Sequence, residues 1–203
     1  TGEFLFPAGI DSYTIYVPVL GDTQWEENEE FTVTLGFDQG TPTAREVTAA
    51  GVITNDDEGF SVRVIDPVPE SDGHVTFTVV RQGDLTGSSS VNWVLTAGEL
   101  NPVSLSGGSA DMTGAFTGTV SFDGTETATL GANGQYYVEK TVTIDIVNDN
   151  TYERDEQFGV TLTSPSEGSS LRQDAKTQIG TIKNDDLAYW LTADKTDVIE
   201  GDA

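Results

Sequence analysis

The chain has 203 residues and a net charge of −25 at pH 7, from 34 acidic against 9 basic residues. This charge excludes a general nucleic-acid binder and attraction to anionic lipid, since both need a basic face. With no Cys and a single His, the chain can form no disulfide and no conventional zinc site, so a bound metal would be a hard ion that prefers oxygen, with calcium first.

Alternating apolar and polar residues predict seven strands. In chain order they span residues 60–64, 74–81, 90–95, 118–122, 139–147, 157–162 and 178–182. Turn-forming residues separate them, and no segment shows a period of 3.6 residues. The pattern predicts an all-β fold, an immunoglobulin-like antiparallel β-sandwich of about seven strands. Residues 104–115 and 125–134 have few large apolar side chains and are predicted to form long loops or an inserted hairpin.

The sequence repeats itself with an offset close to 130 residues. The matched pairs are 25–35 with 152–162, 51–57 with 180–186, and 68–72 with 198–202. Ordered matches at a nearly constant offset indicate a tandem array. The phasing predicts the C-terminal half of one repeat in residues 1–58, a complete repeat in 59–186 and the first strand of a further repeat in 187–203.

The order of the motifs resembles the Calx-beta family. The motifs that carry the resemblance are Val68-Pro69-Glu70-Ser71-Asp72, a strand ending in Arg81, Asp111 before the strand 118–122, an acidic turn leading into residues 153–162, and Asn184-Asp185-Asp186. The resemblance covers essentially the whole chain. It implies tandem β-sandwiches that hold calcium at one end through loop carboxylates.

The resemblance also implies which residues bind calcium. In the complete repeat these are Glu70, Asp111, Asp149, Glu153, Glu156, Asp185 and Asp186. The partial first repeat keeps Asp22, Glu26, Glu29, Asp56 and Asp57, and Glu200 of another chain would complete that set. Asn148 and Asn184 stand where the family often has Asp, and an amide can offer an oxygen but no charge. The Asn-Asp-Asp runs also fit plain strand-ending turns, and the acidity also fits a solvated surface.

We therefore expect a non-catalytic, calcium-binding structural repeat of a large extracellular or cell-surface protein of the adhesin type. Catalysis is not expected, because a chain without Cys and with His74 as its one imidazole has little for nucleophilic chemistry. One alternative is a calcium-responsive regulatory domain like those of exchangers. Another is a carbohydrate-binding module that presents Trp25 or Trp93 to solvent.

The expected partners are neighbouring repeats of the same protein. Neither nucleic acid nor the membrane interior is expected as a partner, and no run of about 18 apolar residues is present. The half-repeat in residues 1–58 would expose unpaired sheet edges. The strand predicted at 189–198 could dock on such a half-repeat of another molecule, giving head-to-tail or strand-swapped self-association.

Overall fold

The computed structural model describes residues 9–10, 12–36, 47–64 and 67–192. The chain forms two compact units, one of residues 1–22 and 28–54 and the other of residues 23–27 and 55–203. Glu200 and most of the strand predicted at 189–198 lie outside the described residues. The boundaries predicted between the repeats stay a prediction.

The described part of the first unit contains one antiparallel hairpin of β1 (Glu29–Leu35) and β2 (Val47–Ile53). Phe31 pairs with Gly51 across the hairpin. A Cβ added to Gly51 would lie only 2.5 Å from the Phe31 ring. Because Gly51 has no side chain, the Phe31 ring can lie directly against the glycine backbone.

The second unit contains two sheets. The first has β3 (Glu58–Val64), β5 (His74–Gln82), β7 (Met112–Thr113), β9 (Thr129–Leu130), β10 (Tyr136–Ile146) and β12 (Ser169–Leu171). Its order is β12-β3-β5-β10-β7, and β9 pairs with β10. The second has β4 (Val68–Pro69), β6 (Ser89–Ala97), β8 (Thr117–Phe122), β11 (Glu156–Thr163) and β13 (Thr177–Lys183), in the order β4-β13-β11-β6-β8.

The prediction of an all-β sandwich is confirmed, with all seven predicted strands present. The second unit has four further strands, β4, β7, β9 and β12, of only two or three residues each. The pairs β12–β3 and β13–β4 are parallel, whereas the prediction had only antiparallel pairs. Among the described residues, the one helical element is a 3-10 turn at Glu70–Asp72, and no helix could cross a membrane.

Alternate side chains of the long strands form the core between the two sheets. Phe77 of β5 meets Trp93 of β6 edge to face, with ring centroids 5.1 Å apart. Phe60 and Phe122 lie 5.9 Å apart. Burial of each such side chain contributes about 1.5–3 kcal/mol. Phe158 is fully buried opposite Gly180, which repeats the aromatic–glycine pair of the first unit.

A buried ion pair lies beside this core. Arg81 is fully buried at the end of β5, and its guanidinium donates to Glu58 Oε1 at 2.9 Å. It also donates to the carbonyl oxygens of Gly87 and Thr86, each at 3.1 Å. A charge this deep is tolerated only when it is paired and hydrogen-bonded. The arginine of the sequence motif is therefore structural.

Candidate metal centre

The acidic residues of the complete repeat lie next to the first or last residues of strands, at one end of the sandwich. Glu70 begins the turn after β4, Asp149 follows β10, and Asp186 follows β13. Asp111 immediately precedes β7, and Glu156 begins β11. Strands that end at the same edge deliver their terminal side chains to one place, although these residues are far apart in sequence.

Glu70, Asp149 and Asp186 form the first cluster. Each offers a carboxylate oxygen, and these oxygens lie within 4.8 Å of one another. Glu70 is 5% exposed and accepts a hydrogen bond from the Asp149 backbone N–H at 3.0 Å. Asp186 Oδ2 is buried and accepts no hydrogen bond from the described part of the chain. A buried carboxylate oxygen without a donor is costly, and a cation would satisfy it.

Asp111, Glu153 and Glu156 form the second cluster, again with oxygens within 4.8 Å of one another. The Asp111 backbone is fixed on both sides. Its N–H donates to Ser104 O at 2.9 Å, and its carbonyl accepts from the Val147 N–H at 2.8 Å. The Asp111 carboxylate also accepts a hydrogen bond from the Ser104 N–H. This loop therefore holds the carboxylate in place before any ion binds.

The two clusters are neighbours, because one cleft is lined by Glu70 of the first cluster and by Asp111, Glu153 and Glu156 of the second. Burial, then the charge of Asp111 and a side-chain hydrogen bond with it, raises the pKa of Glu156 to about 8. Burial followed by neighbouring carboxylates also raises the pKa of Glu153 and of Glu70. Without a cation, these groups therefore resist ionisation.

Asn184 has a role that the sequence did not reveal. Its Oδ1 accepts the Glu153 backbone N–H at 2.8 Å, and its Nδ2 donates to Asp186 O at 3.0 Å. We expected a possible oxygen donor to metal here, but the amide instead joins two segments that carry acidic side chains. Asn55 makes the matching hydrogen bonds. Its Oδ1 accepts from the Glu26 backbone N–H at 2.9 Å, and its Nδ2 donates to Asp57 O at 2.8 Å. Recurrence of Asn at both junctions was the signal available in the sequence.

The remaining candidate ligands lie elsewhere. Asp185 Oδ2 accepts the Ser71 backbone N–H at 3.2 Å and belongs to neither cluster. The acidic residues of the first repeat also belong to neither cluster; they are Asp22, Glu26, Glu29, Asp56 and Asp57. Asp22 and Glu29 are in the first unit, and the other three are in the second. Whether any of these residues bind metal stays a prediction.

The two tryptophans proposed for sugar binding do not present an exposed ring face to solvent. Trp93 is 6% exposed and belongs to the core. Trp25 is half-buried, and its ring is covered by Arg172, whose guanidinium carbon lies 4.0 Å from the ring centroid. Carbohydrate modules need an exposed aromatic face, so the carbohydrate alternative loses its premise.

Fold and site together define a β-sandwich module with carboxylates gathered at one end. The Calx-beta domain model matches residues 1–58, 59–99 and 109–186, and the chain belongs to this family. The predicted resemblance is thereby confirmed. Comparison with curated proteins gives no match.

Several solved structures are similar to this chain. The apo form of the Calx CBD1 domain is 27% identical, with 64% of this chain and 98% of that chain covered and a TM-score of 0.49. CBD12 from CALX1.2 is 26% identical, with coverage of 63% and 46% and a TM-score of 0.49. The Calx CBD2 domain is 17% identical, with coverage of 63% and 86% and a TM-score of 0.45. The matched part of this chain thus spans about half of the CBD12 chain and most of each single domain.

Proposed function

We propose that the complete repeat binds Ca²⁺ through the two carboxylate clusters. The observation that carries the proposal is the cleft where Glu70 of the first cluster meets all three carboxylates of the second. In the first cluster, the buried Asp186 Oδ2 has no hydrogen-bond donor among the described residues. The residues that would hold the ion or ions are Glu70, Asp111, Asp149, Glu153, Glu156 and Asp186. A bound cation would supply the positive charge that lets these carboxylates ionise together.

The donor set favours calcium over other metals. Every candidate ligand is a carboxylate, and Ca²⁺ accepts about six to eight oxygens in flexible geometry. Zinc prefers nitrogen and sulfur ligands, whereas Mg²⁺ prefers a near-octahedral shell that keeps several waters. The pre-set oxygens of Asp111 and Glu70 fit an ion that is largely stripped of water.

We further propose that the repeat is a non-catalytic structural module of a large extracellular or cell-surface protein of the adhesin type. The repeated sequence and the strong negative charge support this proposal. Calcium sites of extracellular modules have dissociation constants of roughly 0.1–1 mM, whereas sensors bind at about 0.1–10 µM. The measured affinity therefore separates a structural module from a calcium-responsive regulatory domain.

Isothermal titration of the EDTA-treated chain with Ca²⁺ and Mg²⁺ tests calcium binding. We expect heat from Ca²⁺, and we expect Asp186→Asn and Glu156→Gln to weaken binding at least tenfold. Asp185→Asn is the matched control, because Asp185 neighbours Asp186 but belongs to neither cluster. An absence of calcium heat, with a melting temperature that calcium does not change, would overturn the proposal. Equal losses in D185N and D186N would contradict the proposed ligand set.

We propose that the partners of this chain are neighbouring repeats of the same protein and other copies of the chain itself. Leu187, Tyr189, Trp190 and Leu191 are exposed and lie in no strand. We propose that such apolar side chains are covered when the segment pairs with a half-repeat of another molecule. Sedimentation velocity at increasing concentration should show a dimer or longer chain, and a monomer throughout would contradict this proposal.

A further inference from the structure

The acidic turn that contains Trp25 belongs to the first repeat by sequence but to the second unit by its contacts. Residues 23–27 group with residues 55–203, whereas the segments on either side of the turn group with the first unit. Trp25 is half-buried. Since Trp25 lies outside the core of the complete repeat, a surface feature of the second unit must hold it.

That feature is a socket formed by Gly59, Gln135, Ser170 and Arg172. The Trp25 backbone N–H donates to Ser170 Oγ at 2.8 Å, and its indole Nε1–H donates to Gln135 Oε1 at 3.0 Å. The Arg172 guanidinium lies over the ring. Gly59 forms the floor, where an added Cβ would lie 2.5 Å from both Cβ and Cγ of Trp25. The backbone, the edge and the face of the tryptophan are all recognised.

Ser170 and Arg172 of the socket are oriented by the complete repeat itself. Ser170 is buried, and its hydroxyl donates to Glu58 O at 3.1 Å. Arg172 donates to Gln82 Oε1 at 2.7 Å. Gln135 is 6% exposed, and its Nε2 donates to Glu26 O at 3.3 Å, so it binds the turn at two points. A pre-organised site loses little side-chain entropy when it binds.

The socket lies far from the metal centre. Gln135 immediately precedes β10, and Asp149 follows the same strand. At about 3.3 Å per residue, this eleven-residue strand separates the two regions by roughly 35 Å. Among the described residues, the contacts to the Trp25 side chain come from Gln135, Arg172 and Gly59, and none comes from a carboxylate of the two clusters. Docking of Trp25 therefore needs no bound calcium at that centre.

We propose that the socket is a docking site for the aromatic residue of the acidic turn in a preceding repeat, and that the docking does not depend on calcium at the metal centre of the complete repeat. The occupant is an aromatic residue followed by Glu, as in Trp25-Glu26, and the partner is another repeat of the same protein. Tyr152-Glu153 has the same place in the complete repeat, and Tyr152 is exposed. This docking is distinct from calcium binding, and each can fail without the other.

Protease Glu-C, which cleaves after Glu, tests the docking in the full chain in EDTA. Mass spectrometry would give the cleavage rates at Glu26 and Glu27. Cleavage of a transiently open segment follows its open population. We therefore expect Trp25→Ala and Arg172→Ala to raise these rates about tenfold or more. Tyr152→Ala is the control and should leave them unchanged, because Tyr152 is exposed at the equivalent position.

Gly59→Ala provides a second test with both partners still present. Gly59 does not have a left-handed φ, so its backbone accepts Ala, while the new Cβ would clash with Trp25. We expect this variant to be cleaved as fast as Trp25→Ala, and the double variant no faster than either. Equal rates in wild type and W25A, or protection that appears only with CaCl₂, would overturn the proposal. A lack of calcium binding with these rate differences intact would overturn only the proposed metal centre.

Discussion

The ionisation of Glu156 should make the stability of the metal-free protein depend on pH, and Glu156→Gln should remove much of this dependence. Burial and Asp111 raise the pKa of this carboxyl from 4.5 to about 8. Below pH 4.5 it is neutral in both the folded and the unfolded state. Between pH 4.5 and 8 the unfolded chain loses the proton while the folded protein keeps it. The stabilisation is therefore lost as pH rises through about 8.

The size of the effect follows from this pKa. A pKa change of this size corresponds to a loss of at most about 5 kcal/mol in the free energy of unfolding. Glu156 is half-buried, and solvent screening reduces the expected effect to roughly 2–3 kcal/mol. One kcal/mol shifts the melting temperature by about 2–4 °C in a protein of this length. In EDTA the wild type should therefore melt about 5–10 °C lower at pH 8.5 than at pH 5.5.

Thermal unfolding followed by circular dichroism in EDTA at these two pH values is the assay. Glu156→Gln should melt above the wild type at pH 8.5 and show a smaller pH dependence. Glu126→Gln is the control, because the Lys140 hydrogen bond lowers the Glu126 pKa to about 2, well below the tested range. A wild-type melting temperature equal at both pH values, or an unchanged pH dependence in E156Q, would refute the reasoning.

Three further changes test the fold and the centre. Arg81→Ala should lower the free energy of unfolding, measured in urea, by about 3–5 kcal/mol, because it leaves the buried Glu58 unpaired. An effect below about 1 kcal/mol would contradict this. Asn184→Ala should weaken calcium binding in titration about 10–100-fold, since its two backbone partners lose their link; unchanged affinity would show that the link is dispensable. Gly180→Ala should lower the free energy of unfolding in urea by about 1–3 kcal/mol, because its Cβ would lie 2.2 Å from the Phe158 ring. Gly108→Ala, with open space around it, is its control and should be neutral.

The long strands could be predicted because alternation is visible over five or more residues. The shortest strands could not, since two or three residues carry no readable period. Thr129–Leu130 shows this, because it lies in a stretch predicted to be a loop or hairpin and is a strand only through pairing with β10. Its pairing partner therefore decides its structure, not its own sequence.

Trp25 and Tyr152 show how one motif position can have two environments. Both precede an acidic turn at the same place in the repeated sequence. Trp25 packs against residues that are 110 and 145 positions away in the chain, whereas Tyr152 is exposed. The burial of either ring depends on a surface that no local pattern encodes.

By itself the sequence determined the strand periodicity, the repeat and its family, and the acidic residues available to a metal. Only the tertiary structure decided which of these acidic residues meet. Asp185 and Asp186 are adjacent, yet Asp186 joins the first cluster and Asp185 accepts a backbone N–H from Ser71. Only one of two neighbouring carboxylates therefore joins the cluster, and the packing of the loops after the strands decides which one.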